Sequence, residues 1–290
     1  MKLRSRLLVI LICLTALPLA SRAQLDPPSP LPIRGAHYPA LSPDGKMLCF
    51  EYLGDLWVSP AFGGAATRLT VHPAYDAYPR WSPDANWIAY SSNREGNFDI
   101  FLIPSKGGSP RQVTFHSADD IVLDWSPDGT SLLFQSARDA RYQDLYVLSL
   151  KNGRERRLTH DKTSSRYGVF TPDAKSVLYV RGRQEWWRPK YEGSANTDIY
   201  SIPVTGGTTT RLTSTNGYES FPMAASMASG GYATYYLAHM GNATNVFRMR
   251  TSKPDQITQF TGDDIKNPTI SRDGKTLAFE QNFQIWITQI

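Results

Sequence analysis

Cysteine and histidine are scarce in this chain, with two and five among 290 residues. Cys13 lies in an N-terminal apolar run. Cys49 is therefore alone in the rest of the chain, and no intramolecular disulfide can form there. Its neighbours Leu48 and Phe50 mark it as a buried, inert thiol in an apolar strand. The histidines (His37, His72, His116, His160 and His239) never form His-Glu-x-x-His, which excludes the helix-borne zinc protease arrangement. Gly-x-Ser-x-Gly is missing too, so no strand-to-helix elbow presents a nucleophilic serine. Gly107-Gly108-Ser109 and Gly206-Gly207-Thr208 lack the lysine and following helix of a phosphate loop and read as hairpin turns. Helical periodicity is absent throughout. No catalytic residue, cofactor or metal is expected.

The first 23 residues contain no acid. Lys2, Arg4 and Arg6 precede an apolar run over residues 7–20, and Ser21-Arg22-Ala23 places small residues at −3 and −1 of a cut between Ala23 and Gln24. This is the pattern of a secretory signal peptide, too short in its apolar core to be a membrane span. Ile12 before Cys13 argues against a lipid anchor. Residues 1–23 hold four of the 31 basic residues, leaving 27 against 26 acids and a formal charge of +1 in place of +5. The basic excess belongs to the leader and gives no reason to expect nucleic acid. A periplasmic or secreted location is predicted.

What the remainder has is repetition. Ser42-Pro-Asp-Gly returns as Ser82-Pro-Asp-Ala, Ser126-Pro-Asp-Gly, Thr171-Pro-Asp-Ala and Ser271-Arg-Asp-Gly. A polar–aliphatic–aromatic marker follows each time: Asp55-Leu-Trp, Asp99-Ile-Phe, Asp144-Leu-Tyr, Asp198-Ile-Tyr, Asn245-Val-Phe and Gln284-Ile-Trp. An aliphatic residue then precedes Thr70, Thr114, Thr159, Thr213 and Thr258, with a period of about 44 residues. The first unit reads as strands over 36–41, 46–52, 55–60 and 67–70. Its Ser-Pro-Asp-Gly forms a type I hairpin turn, because proline presets φ and glycine suits the last position. Alanine replaces that glycine at Ala85 and Ala174, where a left-handed backbone costs about 1 kcal/mol, so these two turns are predicted to be looser. The marker aspartates are predicted to cap backbone N–H groups. The fifth unit lacks Pro-Asp-Gly but keeps its third strand and Ile257-Thr258 in register. The expectation is an all-β, six-bladed β-propeller with four antiparallel strands per blade over residues 36–290. It follows the signal peptide (1–23) and a proline-rich segment (24–35). No Trp-Asp dipeptide ends a unit, which argues against a WD-type ring. The sixth unit stops after its third strand, as in a truncated blade.

Longer strings carry a family resemblance. Arg68-Leu-Thr-Val-His-Pro-Ala-Tyr-Asp-Ala-Tyr-Pro-Arg-Trp-Ser-Pro-Asp, Phe115-His-Ser-Ala-Asp-Asp, Gln184-Glu-Trp-Trp-Arg-Pro and Ser271-Arg-Asp-Gly-Lys-Thr resemble the N-terminal six-bladed propeller of bacterial tricorn-type serine proteases. The short repeat itself resembles that of TolB. The tricorn resemblance implies further domains, including a serine-protease core elsewhere in the parent polypeptide. It also implies a non-catalytic role here, gating or positioning peptides or docking partner modules. A free-standing TolB-like scaffold for other envelope proteins is the alternative. An enzyme with a site in the central channel is a third reading, with the least support.

Strand order sends the loops at 71–77, 115–121, 160–167, 214–220 and 262–267 to the end opposite the tight turns. The fourth unit adds about ten residues at this long-loop end, from Arg181 to Gly193. Arg183, Trp186, Trp187, Arg188, Lys190 and Tyr191 make a cationic, aromatic lip suited to binding. Tyr75, His72, His116, Arg166 and Tyr218, from the neighbouring loops, complete the candidate rim. One tryptophan of the pair is expected to be buried on the adjacent blade. His72 and His116 are equivalent in the repeat, and imidazoles bonded to loop backbone explain them more simply than a metal does.

Overall fold

Each Pro-Asp turn is closed by the same bonds. The Ser42 hydroxyl donates to Asp44 Oδ1 (2.7 Å), Lys46 N–H donates to the same oxygen (3.1 Å), and Gly45 N–H donates to Ser42 O (2.8 Å). At Ser82, Ser126, Thr171 and Ser271 the hydroxyl-to-carboxylate bond recurs at 2.5, 2.6, 2.6 and 2.6 Å. These hydroxyls hold Asp44, Asp84, Asp128 and Asp173 below the usual carboxylate range. The alanine turns are not looser. Ala85 and Ala174 take φ of 58° and 57°, and their N–H groups reach Ser82 O (3.0 Å) and Thr171 O (2.9 Å) as glycine would. The side-chain bonds and hairpin ladder over-determine the turn, so the strain stays in place.

The computed structural model describes residues 33–290 except 140 and 216, and these residues form six antiparallel sheets. Blades 1 to 5 have four strands in chain order, and blade 6 has three: Lys266–Ile270, Thr276–Gln281 and Gln284–Gln289. The predicted signal peptide and most of the proline-rich segment lie outside the described residues. The first strands (His37–Leu41, Asp76–Trp81, Asp120–Trp125, Ser165–Phe170, Glu219–Ser226 and Lys266–Ile270) touch their neighbours in a closed cycle, so they line the axis. Outer strands are only two or three residues long, Thr67–Arg68 in blade 1 and Glu155–Arg157 in blade 3.

The core is divided among the six interfaces between blades. Between blades 1 and 2 it comprises Cys49, Leu56, Ile88, Tyr90, Phe101 and Ile103. Between blades 3 and 4, Leu133 and Leu145 meet Phe170, Val177 and Tyr179. Burial pushes the Cys49 thiol well above its ordinary value, as an inert core residue requires. Blade 6 meets blade 1 without strand exchange among the described residues. Gly35 N–H donates to Phe283 O (2.8 Å), Arg272 N–H to Pro43 O (3.0 Å) and Tyr38 N–H to Glu280 Oε1 (2.5 Å).

The second and third sequence markers form one device. Thr114 Oγ1 accepts Ile100 N–H (2.8 Å) and donates to Asp99 Oδ1 (3.1 Å), tying the outer strand to the third. Thr159 does the same with Leu145 (2.9 Å) and Asp144 (2.8 Å), and Thr258 with Val246 (2.9 Å) and Asn245 (2.9 Å). The expected capping of backbone by the marker carboxylates is therefore largely replaced. The threonine takes the strand N–H, and the aspartate accepts the hydroxyl and the outer-strand arginine (Arg157 to Asp144, 2.6 Å; Arg211 to Asp198, 2.9 Å). His72 N–H to Asp55 Oδ1 (3.2 Å) is a remaining backbone cap. A two-residue outer strand has too few ladder bonds to hold itself, which is why the side chains add theirs.

Candidate binding face

Five of the six first strands carry a bulge with a non-glycine residue in the left-handed region: Tyr38 (52°), Tyr78 (56°), Tyr167 (53°), Phe221 (47°) and Asn267 (44°). Pro39, Pro79, Pro222 and Pro268 follow four of them, and proline's missing N–H suits a break in the ladder. Gly168 follows Tyr167, where an added Cβ would lie 2.7 Å from Leu133 Cδ2 on the preceding blade. Bulky residues at positive φ are costly, and a strained position repeated around an axis marks a place where side-chain direction matters. The result is two aromatic clusters near the start of the first strands. Tyr38 packs on Tyr78 with centroids 4.2 Å apart, and Phe98 meets Tyr78 and Tyr75 edge-on at 6.3 and 6.4 Å. Across the ring, Tyr167 stacks on Phe221 at 4.2 Å. Burial pushes the Tyr38 and Tyr167 phenols up.

The fourth-blade insert joins the second cluster. It leaves the second strand of blade 4 at Arg181 and returns at Asp198, closed at its base by Arg183 N–H to Ala195 O (3.1 Å). Gly182 lies at φ 135°, and an added Cβ would come within 2.2 Å of Asn196 O, so only glycine makes this departure. Gln184 is the buried anchor. Its Nε2 lies within donating distance of Arg188 O (2.9 Å), Pro189 O (3.2 Å) and Tyr191 O (3.3 Å), winding the loop around one amide. Arg166 clamps the insert from below, donating to Glu185 Oε1 (3.1 Å) and Gln184 O (3.1 Å). Tyr218 N–H donates to Pro189 O (3.2 Å) from blade 5.

Both tryptophans remain accessible, Trp186 at 44% and Trp187 at 61%, against the expectation that one would be buried. The reason is that the polar Gln184 takes the interior position. Trp186 instead meets Trp187 edge-on (5.8 Å) and carries the Lys266 ammonium 3.6 Å over its ring. Lys266 begins the first strand of blade 6, so an insert from blade 4 reaches past the inner edge of blade 5. Arg183 covers Tyr142 (4.9 Å), Arg188 covers Tyr191 (4.9 Å), and Lys190 lies near enough to His239 to help lower its pKa, after desolvation.

The structure thus brings together Arg166, Arg183, Trp186, Trp187, Arg188, Lys190, Tyr191 and Tyr218. Tyr75 belongs to the other aromatic cluster. His72 and His116 stand apart in exposed loops, each Nδ1 accepting a loop N–H two residues on, from Ala74 and Ala118 (both 3.0 Å). Among the described residues no group of three or more His, Cys, Asp or Glu is placed to hold a metal. Tyr38, Tyr78, Tyr167, Phe221 and Lys266 were not singled out in the sequence. The repeated Tyr/Phe-Pro dipeptides were the available signal.

Residues 35–290 match the family described as the tricorn protease N-terminal beta propeller domain. The chain belongs to that family. Tricorn protease homolog 1 of Streptomyces coelicolor (strain ATCC BAA-471 / A3(2) / M145) is 32% identical over 71 residues, which is 24% of this chain and 6% of that protein. The crystal structure of the tricorn protease is similar with a TM-score of 0.72 at 17% identity, over 89% of this chain and 25% of that one. A putative TolB from Agrobacterium tumefaciens gives 0.69 at 22% identity, over 89% and 91%. At such identities the structural likeness establishes the fold alone. The chain spans a small fraction of the length of the tricorn proteins it matches.

Proposed function

We propose that this propeller is a non-catalytic module of a larger, exported tricorn-like serine protease, and that its long-loop face binds extended polypeptide or a further domain of the same protein. The observation that carries the reading is the insert. A buried glutamine and a clamping arginine hold a loop beside the axis while leaving two adjacent tryptophans half exposed among Lys266, Arg183 and Arg188. Rigid aromatics beside cations give contact area at little entropic cost, the composition of binding hot spots. The leader-like N-terminus supports export to the periplasm or beyond. Replacing residues 184–194 by Asn-Gly, on the Arg183–Ala195 pair, should leave the ring's melting temperature within a few degrees of the original. Affinity for a fluorescein-labelled unfolded casein fragment should fall at least tenfold, the loss of one or more anchors at about 2 kcal/mol each. Equal affinity in the two proteins would remove this reading.

A second reading, a TolB-like scaffold for other envelope proteins, is favoured by the near-complete match to 91% of the Agrobacterium chain. The coding frame beyond Ile290 separates the two. Further blades and a serine-protease core fit the first, and a stop codon fits the scaffold. Export is checked by finding Gln24 as the N-terminus of protein recovered from the periplasm or medium.

A further inference from the structure

The axis is not filled. A cavity of about 200 Å³ is walled by first-strand residues of all six blades and by turn residues of four, from Tyr167 and Phe221 near the aromatic clusters to Pro43, Pro127, Pro172 and Arg272 at the tight-turn end. Three charged groups meet in it. Arg80 and Asp124 lie on adjacent blades, deep in the protein but still partly open to the cavity. Arg272 enters from the turn of blade 6.

Their bonding is uneven. Asp124 is supported, accepting Trp125 N–H on one oxygen and Phe170 N–H on the other (both 2.8 Å), with Arg272 and Arg80 near enough to stabilise its charge. Arg80 donates through Nε to Leu123 O (2.6 Å) and through Nη1 to Pro79 O (2.8 Å), which leaves Nη2 without a described partner. The Arg272 side chain makes no hydrogen bond among the described residues, although its backbone closes the ring. Two guanidiniums and one carboxylate leave the waist with an excess positive charge in a poorly solvated place, where an anion is strongly favoured. Beside them stands the half-buried Trp81, its indole fixed by donation to Ala40 O (3.0 Å), with Phe221 and Met223 beyond; Trp125, buried between blades 2 and 3, backs the wall by donating to Arg80 O (2.9 Å).

We propose that this waist is a binding site for a small organic anion, its carboxylate held between Arg80 and Arg272 and its apolar body packed against Trp81 and Phe221. It is separate from the insert, so failure of one does not touch the other. The charged groups facing Asp124 are Arg80 from blade 2 and Arg272 from blade 6, with the Phe170 N–H from blade 4. Protonating Asp124 therefore removes the one competing carboxylate and should tighten the anion. Asp124 titrates at about 6, raised chiefly by desolvation.

The test is titration of the full chain with 3-phenylpropionate, followed by tryptophan fluorescence and calorimetry. The acid should bind at least tenfold more tightly than neutral 3-phenylpropionamide, and about threefold or more tightly at pH 5.5 than at pH 7.5. Arg272→Gln, which spares the Arg80 backbone contacts, should lose at least tenfold, measured at a temperature where circular dichroism shows both proteins folded. Asp124→Asn should abolish the pH dependence. No binding, equal binding of acid and amide, or an Arg272→Gln protein that binds normally would overturn the proposal. Inorganic phosphate binding as tightly as the acid would overturn the role given to the apolar walls.

Discussion

Gln184 offers a clean way to separate the insert from the ring. The residue is 3% exposed, and the two hydrogens of its amide are shared among three loop carbonyls within donating distance. Gln184→Leu keeps the volume but leaves those carbonyls to find water. A lost buried donor costs roughly 1–3 kcal/mol, and several groups share the loss here. The Gln184 Oε1 is already buried without a described partner, which lowers the net cost, and the loop can open to solvent. About 2 kcal/mol of local stability is therefore at stake, or roughly a thirtyfold rise in exchange of the insert amides. The blade 4 ladder from Leu178–Ser201 to Val180–Ile199 contains no insert residue and should not respond. Hydrogen exchange by mass spectrometry reads both regions in one experiment. Faster exchange in residues 183–195 with an unchanged ring fits the reasoning. Equal acceleration in the blade 4 strands, or no change in the insert, would refute it.

Other outcomes follow from the repeats. Thr114→Val removes a hydroxyl, 0% exposed, that serves both Ile100 N–H and Asp99, and should cost about 2 kcal/mol in denaturant unfolding, with m unchanged. Ala85→Gly and Ala174→Gly relieve left-handed alanines and should each stabilise by up to about 1 kcal/mol, visible as a higher melting temperature. The turn aspartates, held below their unfolded values, contribute stability above about pH 4 that is lost as the pH falls through their folded values. Asp124 acts oppositely. Its folded pKa of about 6 exceeds the unfolded value, so its burial penalty is fully present above pH 6 and fades as the pH falls toward 4. Asp124→Asn should therefore flatten the dependence of stability on pH between 4 and 6, as measured by chemical denaturation across that range.

Blade number, strand order and the end that carries the long loops were legible in the sequence, because each depends on local chemistry repeated at a fixed interval. Ser-Pro-Asp-Gly makes a hairpin wherever it occurs, and the Asp and Thr markers recur because every blade needs the same tie between its last two strands. The lip residues of the insert stood out as a departure from that interval. Other features only the assembled ring decided. Whether Ala85 could hold a glycine conformation depended on bonds made around it. Which insert residue went inside depended on three carbonyls curling to meet Gln184, and on Lys266, eighty residues away, arriving over Trp186. The aromatic clusters and the Arg80–Asp124–Arg272 group likewise join residues from different blades. A repeat fixes each sheet from within, but what faces the axis is set by packing six of them together, and no single unit records its neighbours across it.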